Sequence, residues 1–317
     1  MNSSRYALPA AVLLLFYAVA AFALSIAPPD MRSWEQVTAD FVSREARHAN
    51  DGEYDGRRLK ELNPKRAVEF LMPFLAKDRP FGLRIKAIGA LGWSSFQEAL
   101  PALSTIAQDA TDDDEVRSEA LNPGLCYMRH PEAVRAATAV AGDKSAKVRT
   151  SAYWVLAHHG TDAAISVLEA RLKAKDAAGL RDLIYALNFS KHPRAGKIVF
   201  DYCDFAALPA DETYLHAYSL TMDTYRVPDA QQNMLRVAQQ VQHRLPAYYA
   251  LRYFESFPRE DVVPALIRYI EADNSVSDLY ETVTAFIKSS DIGSESKKRL
   301  SALIATGKVK KSEPLTP

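Results

Sequence analysis

Two adjacent histidines, His158 and His159, are the residues in this chain whose type and spacing come closest to metal chemistry. A neutral imidazole is a common metal ligand, but neighbouring residues of a helix project about 100° apart and do not converge on one ion. The sequence contains neither HExxH nor a Cys/His pair at ligand spacing. We therefore predict no metal site. Gly160, which follows the pair, indicates a helix C-terminus, where imidazolium groups also complement the helix dipole.

The sequence also lacks the common catalytic motifs. It has no glycine-rich phosphate loop, no CxxC pair and no GxSxG elbow. These absences favour a protein that is not an enzyme and that holds no cofactor. A site assembled from residues far apart in the chain stays open as an alternative.

Charge patterning argues against a nucleic-acid partner. Lys and Arg together number 39, as do Asp and Glu, and no dense basic stripe occurs. A nucleic-acid-binding surface needs such a stripe to neutralise phosphates.

A recurring sequence pattern, called here the repeated phrase, predicts the helices that position these side chains. An apolar residue and a base are followed by small or apolar residues three, six and seven places on. The bases Arg84, Arg117, Arg149 and Arg181 recur at an almost constant interval. That interval, roughly 32 positions, is typical of a stacked helical solenoid. Turns rich in Asp, Lys or Pro favour helix pairs, so we predict about seven pairs within residues 64–290.

Shorter segments flank this array. Residues 33–36, Ser-Trp-Glu-Gln, have the form of a capping box, which predicts a capping helix and a linker over residues 30–63. A polar C-terminal capping helix is expected within residues 291–306. Residues 307–317 are expected to be a disordered tail.

The N-terminal segment, residues 1–29, indicates export. A charge-free run from Tyr6 to Pro29 follows Arg5 and includes Ala21-Phe22-Ala23, the small-x-small pattern of a signal-peptidase site. The run also reaches the roughly 20 apolar residues that a membrane span needs. There are three alternatives: a cleaved signal peptide, a membrane tether through residues 6–29, or neither of these. The first two predict a periplasmic or otherwise extracytoplasmic array.

The two cysteines, Cys126 and Cys203, would then occupy an oxidising compartment. They fall about three repeat units apart, and helix pairs stack at roughly 10 Å each. This separation exceeds the ~7 Å limit on the Cα distance across a disulfide. We predict two free, semi-buried thiols.

The array resembles HEAT repeats, particularly their short bacterial type, over most of the chain after residue 29. In that family an Asp at the inter-helix turn commonly precedes the base by six residues. Pairs at or near this spacing are Asp78 with Arg84, Asp143 with Arg149, and Asp176 with Arg181. The resemblance implies an all-α, right-handed α-solenoid of about seven HEAT-like helix pairs with short capping helices. Pro123-Gly124 departs from the pattern and predicts a break in the second helix of the second pair.

The repeated arginines could form an anion-binding row, because they occupy one position of successive helices. We favour a structural role, in which each Arg pairs with an Asp of a turn, caps a helix end and ties neighbouring units together.

Aromatic residues indicate a binding surface. Positions two, five and nine after the base are predicted to face away from the core on the second helices. Tyr and Trp are enriched in binding hot spots because they bury much area at little entropic cost. The predicted partner-binding site on the concave face comprises Trp93, Ser151, Trp154, His158, Tyr218, Tyr225, Tyr249 and Tyr253. Packing of these rings between units is the structural alternative.

These observations predict an exported, noncatalytic scaffold or adaptor of the cell envelope that binds a protein or peptide partner on its concave face. One alternative is an inhibitor or immunity-type protein that sequesters an exported toxin or enzyme. Another follows from the resemblance, since some short HEAT-like proteins resemble phycobiliprotein lyases, which attach tetrapyrrole chromophores to cysteine. The export signal argues against this enzymatic alternative.

Overall fold

The computed structural model describes residues 30–44, 46–174, 179–207, 212–240, 243–272 and 279–311. The predicted signal peptide or anchor, residues 1–29, and Asp176 lie outside this part of the chain. The described part is helical and contains no strand. Its α-helices are α1 Trp34–Ser43, α2 Glu53–Leu62, α3 Pro64–Leu71, α4 Phe81–Trp93, α5 Leu100–Gln108, α6 Asp114–Glu119, α7 Pro131–Val140, α8 Ala146–His159, α9 Asp162–Lys173, α10 Leu180–Phe189, α11 Ala195–Tyr202, α12 Glu212–Tyr225, α13 Gln231–Gln239, α14 Arg244–Tyr253, α15 Val263–Ala272, α16 Tyr280–Lys288 and α17 Ser294–Ala305.

Helices α3 to α16 follow one another as seven pairs, each made of a first and a second helix. The second helix of each pair contacts the second helix of the next from α4 through α14. Within most pairs the two helices also pack on each other, and the apolar core lies between the two layers. The predicted all-α solenoid is confirmed.

Local sequence ends the helices where the chain turns. Helix α8 ends at His159, and Gly160 adopts the left-handed conformation (φ 57°) that glycine reaches without steric cost. Thr161 then caps α9, because its Oγ1 accepts a hydrogen bond from the N–H of Ala164. The histidine pair therefore lies in the last turn of a helix, as predicted.

The second helix of the second pair is broken, as its Pro-Gly sequence predicts. Helix α6 ends at Glu119, and residues 120–125 continue as a π-helical segment in which Asn122 leaves the helical conformation (φ −133°, ψ 105°). Backbones meet closely here. A Cβ on Gly92 of α4 would lie 2.6 Å from the Cα of Gly124.

The N-terminal segment holds more structure than one helix and a linker. The capping box forms as predicted, since Ser33 Oγ accepts from the N–H of Gln36 and the Gln36 side chain accepts from the N–H of Ser33. A 3₁₀ turn, Ala49–Gly52, and helix α2 follow α1. Residues 53–62, expected as a linker, are thus helical.

This segment covers α4 at very short range. A Cβ on Gly89 would lie 1.7 Å from the carbonyl oxygen of Ala49. Lys86 is buried beneath the segment, where its Nζ pairs with Asp55 at 3.3 Å and donates to the carbonyl oxygen of Phe41 at 3.0 Å. Helix α4 is consequently buried along residues 84–92.

The C-terminal helix α17 lies where a closing helix is expected. The chain beyond it is still packed, because Val309 is buried and its N–H donates to the carbonyl oxygen of Leu303. The disorder expected from residue 307 therefore does not hold at Val309. Residues 312–317 lie outside the described residues.

None of the helices in the described ranges combines the length and the apolar character needed to cross a membrane.

Candidate functional site

The repeated arginines make ion pairs between units. Arg84 donates from Nη1 and Nη2 to the two carboxylate oxygens of Asp112, at 2.9 and 2.6 Å. Its Nε donates to the carbonyl oxygen of Leu75, at the end of the 3₁₀ turn that follows α3. One unit later, Arg117 repeats both contacts, with Asp143 as its carboxylate partner at 2.5 Å. The predicted structural role of these two bases is confirmed.

The carboxylate that pairs with each of these two arginines comes from the turn of the next unit, and the sequence pattern did not indicate this. Arg84 pairs with Asp112 and not with Asp78, while Arg149 donates to main-chain carbonyls of the turn before α8. The hydrogen bond from Arg84 lowers the pKa of Asp112. Because Arg84 and Arg117 are both buried, they are closed to an external anion.

Five rings from the first four units form a continuous surface feature, which we call the N-terminal aromatic row. Trp93 at the end of α4 stacks on Tyr127 at a centroid distance of 4.3 Å. Tyr127 meets His158 of α8 edge-on at 5.0 Å, and His158 stacks on Phe189 of α10 at 6.3 Å. Trp154 meets the same Phe189 edge-on at 5.3 Å. Phe189 is 49 % exposed and the other four rings are half-buried.

A second set of rings continues across units four to six, and we call it the C-terminal aromatic row. The Tyr185 hydroxyl and His216 Nδ1 share a hydrogen bond of 2.7 Å. His216 packs on Tyr249 at 5.3 Å, and Tyr249 packs on Tyr248 at 5.1 Å. Burial lowers the pKa of His216. All four side chains are half-buried, so part of each ring remains accessible to solvent.

Three predicted site residues do not face outward. Tyr218 is fully buried against Phe205, and His216 takes the outward position instead. The repeated pattern is degraded in unit five, so the register predicted from it for this helix is wrong. Tyr253 is also fully buried, and its hydroxyl donates to the carbonyl oxygen of Val227 at 2.6 Å. Ser151 lies between neighbouring second helices.

Tyr225 is half-buried and fixed between units. Its hydroxyl donates to the carbonyl oxygens of Leu187 and Asn188, and its Cβ approaches Gly196 so closely that a side chain there would collide with it. The structure thus brings Trp93, Trp154 and His158 together in the N-terminal row and places Tyr249 in the C-terminal row.

Sequence reasoning missed five members of the two rows: Tyr127, Tyr185, Phe189, His216 and Tyr248. A usable indication was present, because rings recur at one constant interval along the chain. Trp154, Tyr185 and His216 are related in this way, as are Tyr127, His158 and Phe189. A search for rings one repeat apart, without reference to the arginine, would have found them.

The two thiols are free, as predicted, and they are buried where the prediction was semi-buried. Burial raises the pKa of Cys126 and of Cys203 to about 12. Neither thiol is therefore available as a thiolate nucleophile near neutral pH.

One group of side chains in the described ranges has the composition of a metal site. His48, Glu115 and Glu119 bring one ligand atom each within 4.8 Å of one another. Glu115 already pairs with Lys147. Burial, and then the charge of Glu115, raises the pKa of Glu119. The sequence did not indicate this group, because His48 is distant from α6 in the chain.

The helix pairs and the buried inter-unit ion pairs together define an α-solenoid, and the two aromatic rows lie along its second helices. The family model for HEAT repeats matches residues 112–188, from the turn before α6 to the end of α10. Residues 112–188 are thus similar to HEAT repeats, and helix pairs continue on both sides of the matched residues. HEAT repeats commonly mediate protein–protein interaction. The comparison with curated proteins gave no match.

Proposed function

We propose that this chain is a noncatalytic scaffold that binds a protein or peptide partner on the face formed by its second helices. The observation that carries the proposal is the pair of aromatic rows. They extend over units one to six, and every ring comes from a second helix or from the residues directly after one. Half-buried aromatic rings supply large contact areas at low entropic cost, which is the property of interface hot spots.

The contacts within the rows favour this use over simple packing. Rings packed only for stability would be covered on both faces, as Tyr218 and Tyr253 are. Phe189 joins Trp154 to His158 and yet leaves about half of its own surface in solvent. Exposed apolar surface that is contiguous over several side chains is typical of interaction sites.

The test is quantitative binding of a partner that is captured by the full chain and then purified. Capture from an envelope fraction, with identification by mass, supplies the partner and distinguishes a scaffold from an inhibitor of a toxin or enzyme. Trp154→Ala with Phe189→Ala should weaken binding of the purified partner by about 2 kcal/mol or more, roughly thirtyfold. Trp154→Ala with Tyr249→Ala tests whether the partner spans both rows.

A matched control changes two exposed charges on first helices, Lys173→Ala with Arg268→Ala. These changes should leave the affinity within about twofold, since exposed charges contribute little even when, like Lys173 with Glu169, they are paired. Loss of binding in this control, with full binding by the aromatic variants, would place the working surface on the first helices. Circular dichroism of each variant separates a lost contact from a lost fold.

We also propose that the array works outside the cytoplasm, either released or tethered by its N-terminus. Support comes from the charge-free run Tyr6 to Pro29 after Arg5. Residues 1–35 fused to a reporter that is active only outside the cytoplasm should give activity, and an inactive fusion would contradict export. N-terminal sequencing of the mature chain then distinguishes cleavage near Ala23 from a retained anchor.

A further inference from the structure

A cleft of about 590 Å³ opens beside the N-terminal aromatic row. It lies where the chain after the π-helical segment meets the end of α8 and the start of α9. The titratable side chains among its described lining residues are all bases: Arg129, His130, Arg135, His158 and His159. None of these described lining residues carries a carboxylate, although the whole chain has equal numbers of acidic and basic residues.

The positive charge of the cleft is only partly compensated. Arg129 is exposed and makes no hydrogen bond or ion pair with the described part of the chain. Arg135 pairs with Glu132, and 68 % of its side chain is exposed, so this contact is weak and exchangeable. The charge of Arg129, after burial, also contributes to a lowered pKa of His158. An anionic group in the cleft could therefore contact two guanidinium groups with few carboxylates of the protein competing for them.

Apart from Thr161, the remaining lining residues are apolar: Pro131, Val134 and Ala163. His158 belongs both to the cleft and to the N-terminal aromatic row, where it contacts Tyr127 and Phe189. A ligand lying along the row therefore reaches the cleft without leaving the surface. Binding sites with a mainly apolar lining and a few convergent charges select ligands that combine both features.

We propose that the cleft binds the carboxylate of an acidic, aromatic-containing peptide segment of the partner, with Arg129 and Arg135 as hydrogen-bond donors. Guanidinium groups match carboxylates in geometry and charge, which gives specificity as well as affinity. The inference rests on the proposed function only in taking the partner to be a peptide. The absence of a basic stripe elsewhere in the sequence argues against a nucleic acid as the source of the anion.

The experiment measures fluorescence anisotropy of dye-labelled hexapeptides with the purified full chain. The probes are (Phe-Glu)₃, (Phe-Gln)₃ and (Phe-Lys)₃. The acidic probe should bind about tenfold or more tightly than the amide probe, and the basic probe should bind most weakly. Arg129→Gln with Arg135→Gln should abolish the preference for glutamate and leave binding of (Phe-Gln)₃ unchanged.

The control variant is Arg44→Gln with Arg57→Gln, which removes the same charge from two exposed arginines of the N-terminal segment. It should keep the preference for the acidic probe. Equal affinity for all three probes, or a preference that survives loss of Arg129 and Arg135, would overturn the proposal. An equal loss in the control variant would also overturn it, because net charge alone would then explain the preference.

The outcomes separate this inference from the proposed function. If Trp154→Ala with Phe189→Ala weakens every probe while Arg129→Gln with Arg135→Gln weakens none, the aromatic face binds peptides and the cleft does not select carboxylates. If only the arginine variant weakens the acidic probe, the cleft binds carboxylates and the aromatic row is not the peptide site.

Discussion

Arg84 of the first helix pair and Asp112 at the turn of the second are joined by two hydrogen bonds, and both side chains are almost fully buried. The pair neutralises its own charge and fixes the spacing of two units in one contact. Arg117 and Asp143 repeat the arrangement one unit on. Arg84 and Arg117 therefore tie successive units together, and we propose that recognition depends on the rings.

Removal of one member of this pair should be costly. Arg84→Met leaves the buried Asp112 without a cation, and we expect a loss of about 3 to 5 kcal/mol in unfolding free energy, measured by urea titration. Arg84→Met with Asp112→Leu should recover part of that loss. Arg181→Met is the control, since Arg181 is half exposed and pairs with its neighbour Asp182, and its loss should stay below about 1 kcal/mol. Equal losses in Arg84→Met and Arg181→Met would show that the buried pair has no special role.

A methyl group at Gly89 should displace the N-terminal segment from α4. The new Cβ would lie 1.7 Å from the carbonyl oxygen of Ala49, so backbone must move. We expect Gly89→Ala to cost about 1 to 3 kcal/mol and to make residues 30–62 sensitive to protease. Gly142→Ala should do neither, because the nearest atom to its added Cβ is the guanidinium end of a side chain.

Small residues at the helix interfaces should not tolerate larger ones. Ala152 and Ala247 follow the base by three residues and are fully buried. Ala152→Leu and Ala247→Leu should each overpack the core at a cost of about 1 to 3 kcal/mol, seen as a lower Tm. Ala170→Leu on the exposed side of α9 should leave Tm nearly unchanged. Wild-type stability in both buried variants would contradict the assignment of these positions to the core.

Stability should fall as the pH drops from 7.5 to 5.5. Burial lowers the pKa of His158, His159 and His216, so the folded chain holds fewer protons than the unfolded chain below the ordinary histidine pKa of about 6.5. Unfolding free energy then decreases from that pH down through the folded-state pKa values. His216→Gln removes one of these groups and should give a shallower slope of Tm against pH. An unchanged slope would show that His216 does not contribute.

Much of this architecture could be predicted from the sequence because the underlying pattern is local and repeated. Apolar spacing within one helix, turn residues between helices and the regular recurrence of the arginine phrase specify helix pairs whatever lies next to them. The capping box at Ser33, the helix end at Gly160 and the break at Pro123 also depend only on neighbouring residues. The free state of Cys126 and Cys203 followed from their distance along the array.

The tertiary structure alone decided which side chains reach solvent and which partners they meet. Tyr218 and Tyr253 are of a residue type that often lies at binding surfaces, but the register of their helices places both side chains in the core. Arg84 finds its carboxylate in the next unit because stacking, and not spacing along the chain, brings Asp112 within reach. The aromatic rows and the cleft at Arg129 arise where successive units meet. Their composition depends on how far each unit is rotated and displaced relative to the last, which no single repeat specifies.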